Sequence, residues 1–299
     1  MLTGCILNDR NKRRTERLVV SEAYPRIQTF KQAAPHLVGA AKTIDVCLPC
    51  VALAKLDGTA FDYVQQTNNC VAIGSWIHSD SARAAEIIIK GEAEDYYKRT
   101  AHEPIYGYRG ERADQGMEPS LASEWLHDYG MVPREKIGSI DLTEDRTDLS
   151  VSWGGSGPPA EIKTAAKKHP LNYIALCETA EDLADGLANC YFAHSGGMDS
   201  FSQSRDKQGF GVPTREGWSH DMPHFGFIRG SRPGFIFWTW GDWIGGPQNP
   251  DHALPHGCFF VDWDIMETRI KDYGSCWLGG QAAGWPAQSL ESLGTEAWL

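Results

Sequence analysis

Several features are missing from this chain of 299 residues. No apolar run approaches the roughly 20 residues that span a bilayer, so no membrane partner is expected. Basic charge is scarce: the formal net charge is −11. Neutralising phosphates needs a basic face, so nucleic acid is excluded as a partner. Cys47-Leu-Pro-Cys50 has no second pair at matching spacing, so a zinc site would lack half its ligands. The other cysteines, Cys5, Cys70, Cys177, Cys190, Cys258 and Cys276, are scattered and do not read as a secreted disulfide framework. The pair at 47 and 50 reads as two packed thiols, and no metal or cofactor is expected. MLTGCIL is too short for a signal peptide and charges follow at once, so the expected location is the cytoplasm, or a virion released by lysis. Internal repeats and low-complexity tracts are absent.

What is present builds a core. Hydrophobic residues make up 41% of the chain, with 11 tryptophans, enough for one large domain or two lobes around a cleft. Residues 1–45 read as an N-terminal arm and residues 46–299 as the domain. The basic run over residues 9–17 reads as a solvated face of that arm, or as a docking segment for an anionic partner.

Patterning changes along the chain. VAIGSWI and SARAAEIIIKGEAEDYYKR read as helical from Cys70, with a break near residues 79–81. Pro119 suits a first helical position, and SLASEWLHDYG runs amphipathically to Gly130. NYIALCE reads as a strand, and Thr179 caps a following helix. CYFAHS, HFGFIRG, GFIFWTWG and CFFVDWD are aromatic, strand-like and separated by Gly and Pro turns. Helices followed by strands predict an α+β fold.

The stretch DYVQQTNNCVAIGSW raises a chemical question. A thiol attacks as thiolate, and a cysteine at a helix start beside an imidazole is placed to ionise. A glutamine amide with the cysteine's own N–H supplies oxyanion donors. Cys70 is therefore a candidate nucleophile, with a histidine base required from far along the chain.

QQTNNCVAIGS resembles the glutamine-then-cysteine segment of papain-like cysteine peptidases. GWSHDMPHFGFIRG resembles the family's histidine segment, with His220 followed six positions on by Gly226 and Phe227. FIFWTWGDWIGG is similar to its tryptophan-glycine strand, with Trp240-Gly241 matching. GMEPSLASEWLHDYGMVP resembles the loop and helix that line its cleft. SRDKQGFGVPTREGWSHDM and WGGSGPPAEIKTAAKKHP are similar to a divergent bacterial and phage branch. The resemblance implies a helical first lobe and a β-rich, barrel-like second lobe. It implies Cys70 as nucleophile, His220 as base and Gln65 as oxyanion donor. It implies a substrate cleft at Trp76, Gly116, Met117 and Trp240, and a peptide or protein substrate.

Two departures stand out. Gln65 is one residue nearer the cysteine than the family's spacing, and Gln66 is its rival. The third catalytic position, an amide in the family, is Trp238. An indole N–H donates but cannot accept the imidazole proton. Asp221 and Asp242 are acidic neighbours that offer a replacement, and His194 and His224 are rival bases. Two functions follow: a cysteine hydrolase, or an impaired papain-like scaffold serving as a structural or adhesion component of a virion. The second would use the arm for homo-oligomer or virion assembly.

Overall fold

The computed structural model describes residues 4–19, 26–90, 98–198, 200–214, 217, 219–239 and 243–282. Its spine is helix α2, and the label α1 goes to the earlier helix Asp9–Val19. Helix α2 runs Cys70–Lys90 without interruption. A break was expected at residues 79–81, where serines favour turns by bonding their own backbone. Here Ser79 Oγ bonds inside the helix, donating to Ser75 O, as Ser75 Oγ does to Val71 O a turn earlier, both at 2.8 Å. Asp80 accepts from the N–H and hydroxyl of Thr100. The helix passes through the interior, with Ser81 Oγ buried and without a hydrogen-bond partner among the described residues.

Helix α3 covers Pro119–Asp128, with proline at its start as the sequence predicts. Helix α4 covers Ala180–Ala188, capped by Thr179 accepting from Asp182 N–H. Helix α5, Trp263–Tyr273, follows the last aromatic strand run; the strand-rich reading of the final third passed over it. Gly274 at φ +54° ends it, a left-handed position that glycine fills without strain.

The main sheet is mixed. Its strands are β1 Gln28–Thr29, β2 Val46–Cys47, β3 Leu171–Leu176 and β4 Phe192–Gly197. They continue with β5 His220–Ile228, β6 Gly234–Trp238, β7 Cys258–Asp262 and β8 Cys276–Ala282. The order is β1-β3-β8-β4-β5-β6-β7, with β2 also paired to β5. Only β1–β3 is parallel; the other pairs of this sheet are antiparallel. Every residue of β5 is buried. That follows from its covered faces, with α2 packing on one side and α4 on the other, and explains an apolar run without alternation. The fold is α+β.

Residues before 46 contribute to this body. Phe30, Leu37 and Ala41 are core residues and β1 extends the sheet. The basic face of α1 meets the chain's own carboxylates: Arg10 and Arg14 both reach the buried Glu118, at 2.8 Å each, and Arg14 also reaches Glu124. These guanidinium groups are thus engaged internally rather than freely solvated. Among the described residues, no helix is long and apolar enough to cross a membrane.

Candidate active site

Cys70 is the first residue of α2 and His220 the first of β5, so two elements packed face to face bring them to one end. Cys70, His220, Gln65 and Trp238 line a single cavity of about 10 Å³, room for roughly one water. Gln65 is buried on its wall, whereas Gln66 is exposed. Gln65 Nε2 donates to Thr67 O at 2.6 Å, and its Oε1 has no hydrogen-bond partner among the described residues.

The thiol is neutral at rest. Burial pushes Cys70 up to about 12, aided by the nearby Asp221 carboxylate and opposed by the N–H groups of Asp221, Gly4 and Val71. His220 is pulled down to about 3, mainly by burial and secondarily by the Arg269 guanidinium. A desolvated thiol and a desolvated imidazole both favour their uncharged forms.

A stretch of the chain's own backbone runs beside Cys70, with the Gly4 N–H against its thiol. Met117 N–H donates to Gly4 O at 2.7 Å and Ile6 N–H donates to Met117 O at 2.9 Å. This is a parallel bridge centred on Cys5. Ser219 Oγ donates to Cys5 O from the other wall. Gly116 holds φ +91°, and a Cβ there would sit 2.5 Å from Gly4 O, so the close approach requires glycine on both counts. Gly116 and Met117 thus hold residues 4–7, and neither is among the residues lining the cavity that Cys70 and His220 share.

The remaining expected residues fall elsewhere. Trp76 is buried one layer behind, packed edge-on to Tyr63 with centroids 5.5 Å apart. Trp240 and Asp242 lie outside the described residues. Trp238 sits in the cavity wall, edge-on to Phe61, and its Nε1 has no hydrogen-bond partner among the described residues. Thr239 Oγ1 beside it is equally unpartnered. Asp221 does not take the place of the missing amide: its carboxylate oxygens accept from His194 Nδ1 at 3.1 and 3.0 Å. His224 is committed too. Arg269 Nε donates to Ser195 Oγ at 2.8 Å, and Ser195 Oγ and His224 Nε2 are hydrogen-bonded to each other at 2.7 Å. His194 and His224 are thus not free bases. Cys47 and Cys50 are buried free thiols, and Cys47 Sγ lies 3.7 Å from Leu187 O.

Sequence reasoning did not find one cluster. His102, Glu103 and Asp145 place their ligand atoms within 4.8 Å of one another. His102 Nε2 already meets Asp145 Oδ2 at 3.0 Å and Tyr63 OH at 3.2 Å, and Glu103 accepts from Arg146 N–H at 2.7 Å. These partners make it a hydrogen-bonded network between the loop at 145 and the wall of the cavity. The residues are distant in sequence and carry no spacing signature.

Solved cysteine proteases are similar to this chain. Xylellain, a cysteine protease from Xylella fastidiosa, is 14% identical over 72% of this chain and 80% of that one, with a TM-score of 0.48. Procathepsin B from Trypanosoma congolense is 13% identical over 81% and 78%, with a TM-score of 0.46. The bromelain protease from Ananas comosus is 13% identical over 75% and 95%, with a TM-score of 0.45. No protein-family model and no curated protein matches the chain.

Proposed function

We propose that the chain is a papain-like cysteine hydrolase acting on a peptide or other amide, held in a resting state by its own residues 4–7. The observation that carries this is one cavity lined by Cys70, His220 and Gln65, with the Gly4 backbone beside the Cys70 thiol and bonded to Met117. With the cleft cleared and hydrated, His220 takes the Cys70 proton and the thiolate attacks the substrate carbonyl carbon. The oxyanion receives the Cys70 N–H and a Gln65 amide N–H. The intermediate collapses to a thioester as His220 protonates the leaving amine. Water, deprotonated by His220, then attacks the thioester and releases the acid and the thiol.

A second reading keeps the fold as a scaffold without turnover. Trp238 at the third position favours it, because an indole cannot fix the imidazole tautomer. The pH dependence of Cys70 alkylation by iodoacetamide separates the two, with Cys70→Ala and His220→Ala as controls. A hydrolase shows labelling below pH 7 that His220→Ala abolishes. Labelling confined to pH above about 8, where an ordinary thiol ionises, rejects it.

A further inference from the structure

The Asp221 carboxylate is fully buried, and its geometry fixes the protons around it. Ser75 Oγ donates its only proton to Val71 O at 2.8 Å. It therefore accepts from His194 Nε2 at 3.2 Å, and that nitrogen must carry a proton. The opposite nitrogen, Nδ1, shares a second proton with Asp221 at 3.0 Å. His194 thus bridges Ser75 on helix α2 and Asp221 on strand β5. His78 stacks on the far face of His194 at 5.3 Å and 9°. At Gly74 any Cβ would overlap Asp221 Oδ1, so only glycine lets the carboxylate rest on helix α2.

Three elements meet here. Gly74 and Ser75 lie one turn beyond Cys70 on α2. His194 lies on β4, and Asp221 directly follows His220 on β5. The β4–β5 register pairs Gly196 with Asp221 and Gly197 with His220. A buried ion pair adds little net stability over apolar packing; what it fixes here is the relative position of a helix and a strand. We propose that the Asp221–His194–Ser75 chain is the positioning device that holds His220 against Cys70, the task left open by Trp238. This rests on the hydrolase reading. None of the three is a catalytic residue, because each acts through His220.

The sign of the effect separates positioning from charge. The Asp221 carboxylate raises the Cys70 thiol. Were it only a charge, its removal would speed alkylation. A positioning role predicts the reverse, since misplacing a base by about 1 Å costs up to about a hundredfold.

The experiment compares Cys70 alkylation rates across pH, and the His220 imidazole NMR signals, in the full chain and in Asp221→Ala, Asp221→Asn, Ser75→Ala and Gly74→Ala. Thermal melts confirm that each is folded. Asp221→Ala and Gly74→Ala are expected to slow alkylation at pH 7 about tenfold or more and to move the His220 signals. Asp221→Asn keeps both bonds with a neutral His194 and recovers most of the rate; Ser75→Ala gives a smaller loss in the same direction. Faster alkylation in Asp221→Ala, or unmoved His220 signals in the folded variants, overturns the proposal. Absence of His220-dependent alkylation in the unsubstituted chain overturns the hydrolase reading instead. The His220 signals then decide the clamp alone: moved sustains it, unmoved rejects it.

Discussion

Trp238 concentrates the tension between a hydrolase and a scaffold in one side chain. Its ring fills the wall between Phe61 and the cavity, yet its Nε1 is buried with no partner among the described residues. An unsatisfied buried donor costs about 1–3 kcal/mol, so the residue is not optimal even as packing. Trp238→Asn supplies a carbonyl that accepts from an imidazole N–H and an amide that fills part of the volume. Two effects of opposite sign are expected. Cys70 alkylation at pH 6 rises by about tenfold, because an oriented imidazole is a better base. Stability falls by roughly 3–5 kcal/mol, as for other large-to-small aromatic replacements in a core. Timed alkylation assays and urea melts on the same preparation read both; a rate unchanged in folded protein removes position 238 from the mechanism. The candidate pair was legible in sequence because a cysteine at a helix start and a histidine six residues before a Gly-aromatic pair are local patterns. The partners of Asp221 were not, because Ser75 and His194 are 119 residues apart and neither sits in a recognisable motif.

At the scale of elements, the segment at residues 4–7 is the part of the site that the hydrolase reading requires to move. It adds two backbone hydrogen bonds to Met117 and one side-chain bond from Ser219. Each such bond is worth about 0.5–1.5 kcal/mol net, so the three together contribute a few kcal/mol, to which burial of Cys5 in the core adds. Ile6→Pro removes the N–H that donates to Met117 O without touching the cavity lining. The expected result is a rise in Cys70 alkylation of about fivefold to tenfold at pH 7, the equivalent of one lost bond. An unchanged rate would show that the segment does not control access. Periodicity found the helices at Pro119 and Thr179 and the aromatic strands, since each carries a local start signal. Its reading of residues 1–45 as an arm with a solvated basic face has a physical reason. Their basic run looks solvated until Glu118 and Glu124, more than 100 residues away, appear as its partners. It likewise broke α2 near Ser79, whose hydroxyl turns out to bond inside the helix.

For the whole molecule, buried titratable groups define a window of stability. His220 is lowered to about 3 by burial, and His78 and His224 lie well below the ordinary range for the same first cause. Below about pH 6.5 the unfolded chain binds protons at these three positions and the folded chain does not. Their stabilising contribution is present above that pH and lost as pH falls, with each group's slope approaching about 1.4 kcal/mol per pH unit. Asp80, raised to about 6 by burial, and Asp221, raised for the same reason, take up protons first in the folded state and oppose part of the loss. On the alkaline side, burial raises Cys5, Cys47, Cys50, Cys70, Cys177 and Cys258. The unfolded thiols ionise near pH 8.5 while the folded ones stay neutral, so stability falls again as pH rises. Maximum stability is expected between about pH 6.5 and 8.5. Urea midpoints across pH 4.5 to 10 trace the curve, and His224→Gln tests its acid limb. The glutamine side chain keeps an acceptor for Ser195 but cannot bind the proton, so the slope between pH 6.5 and 5 flattens by about one proton's worth. An acid limb unaltered by that change would mean His224 is not held neutral in the folded chain.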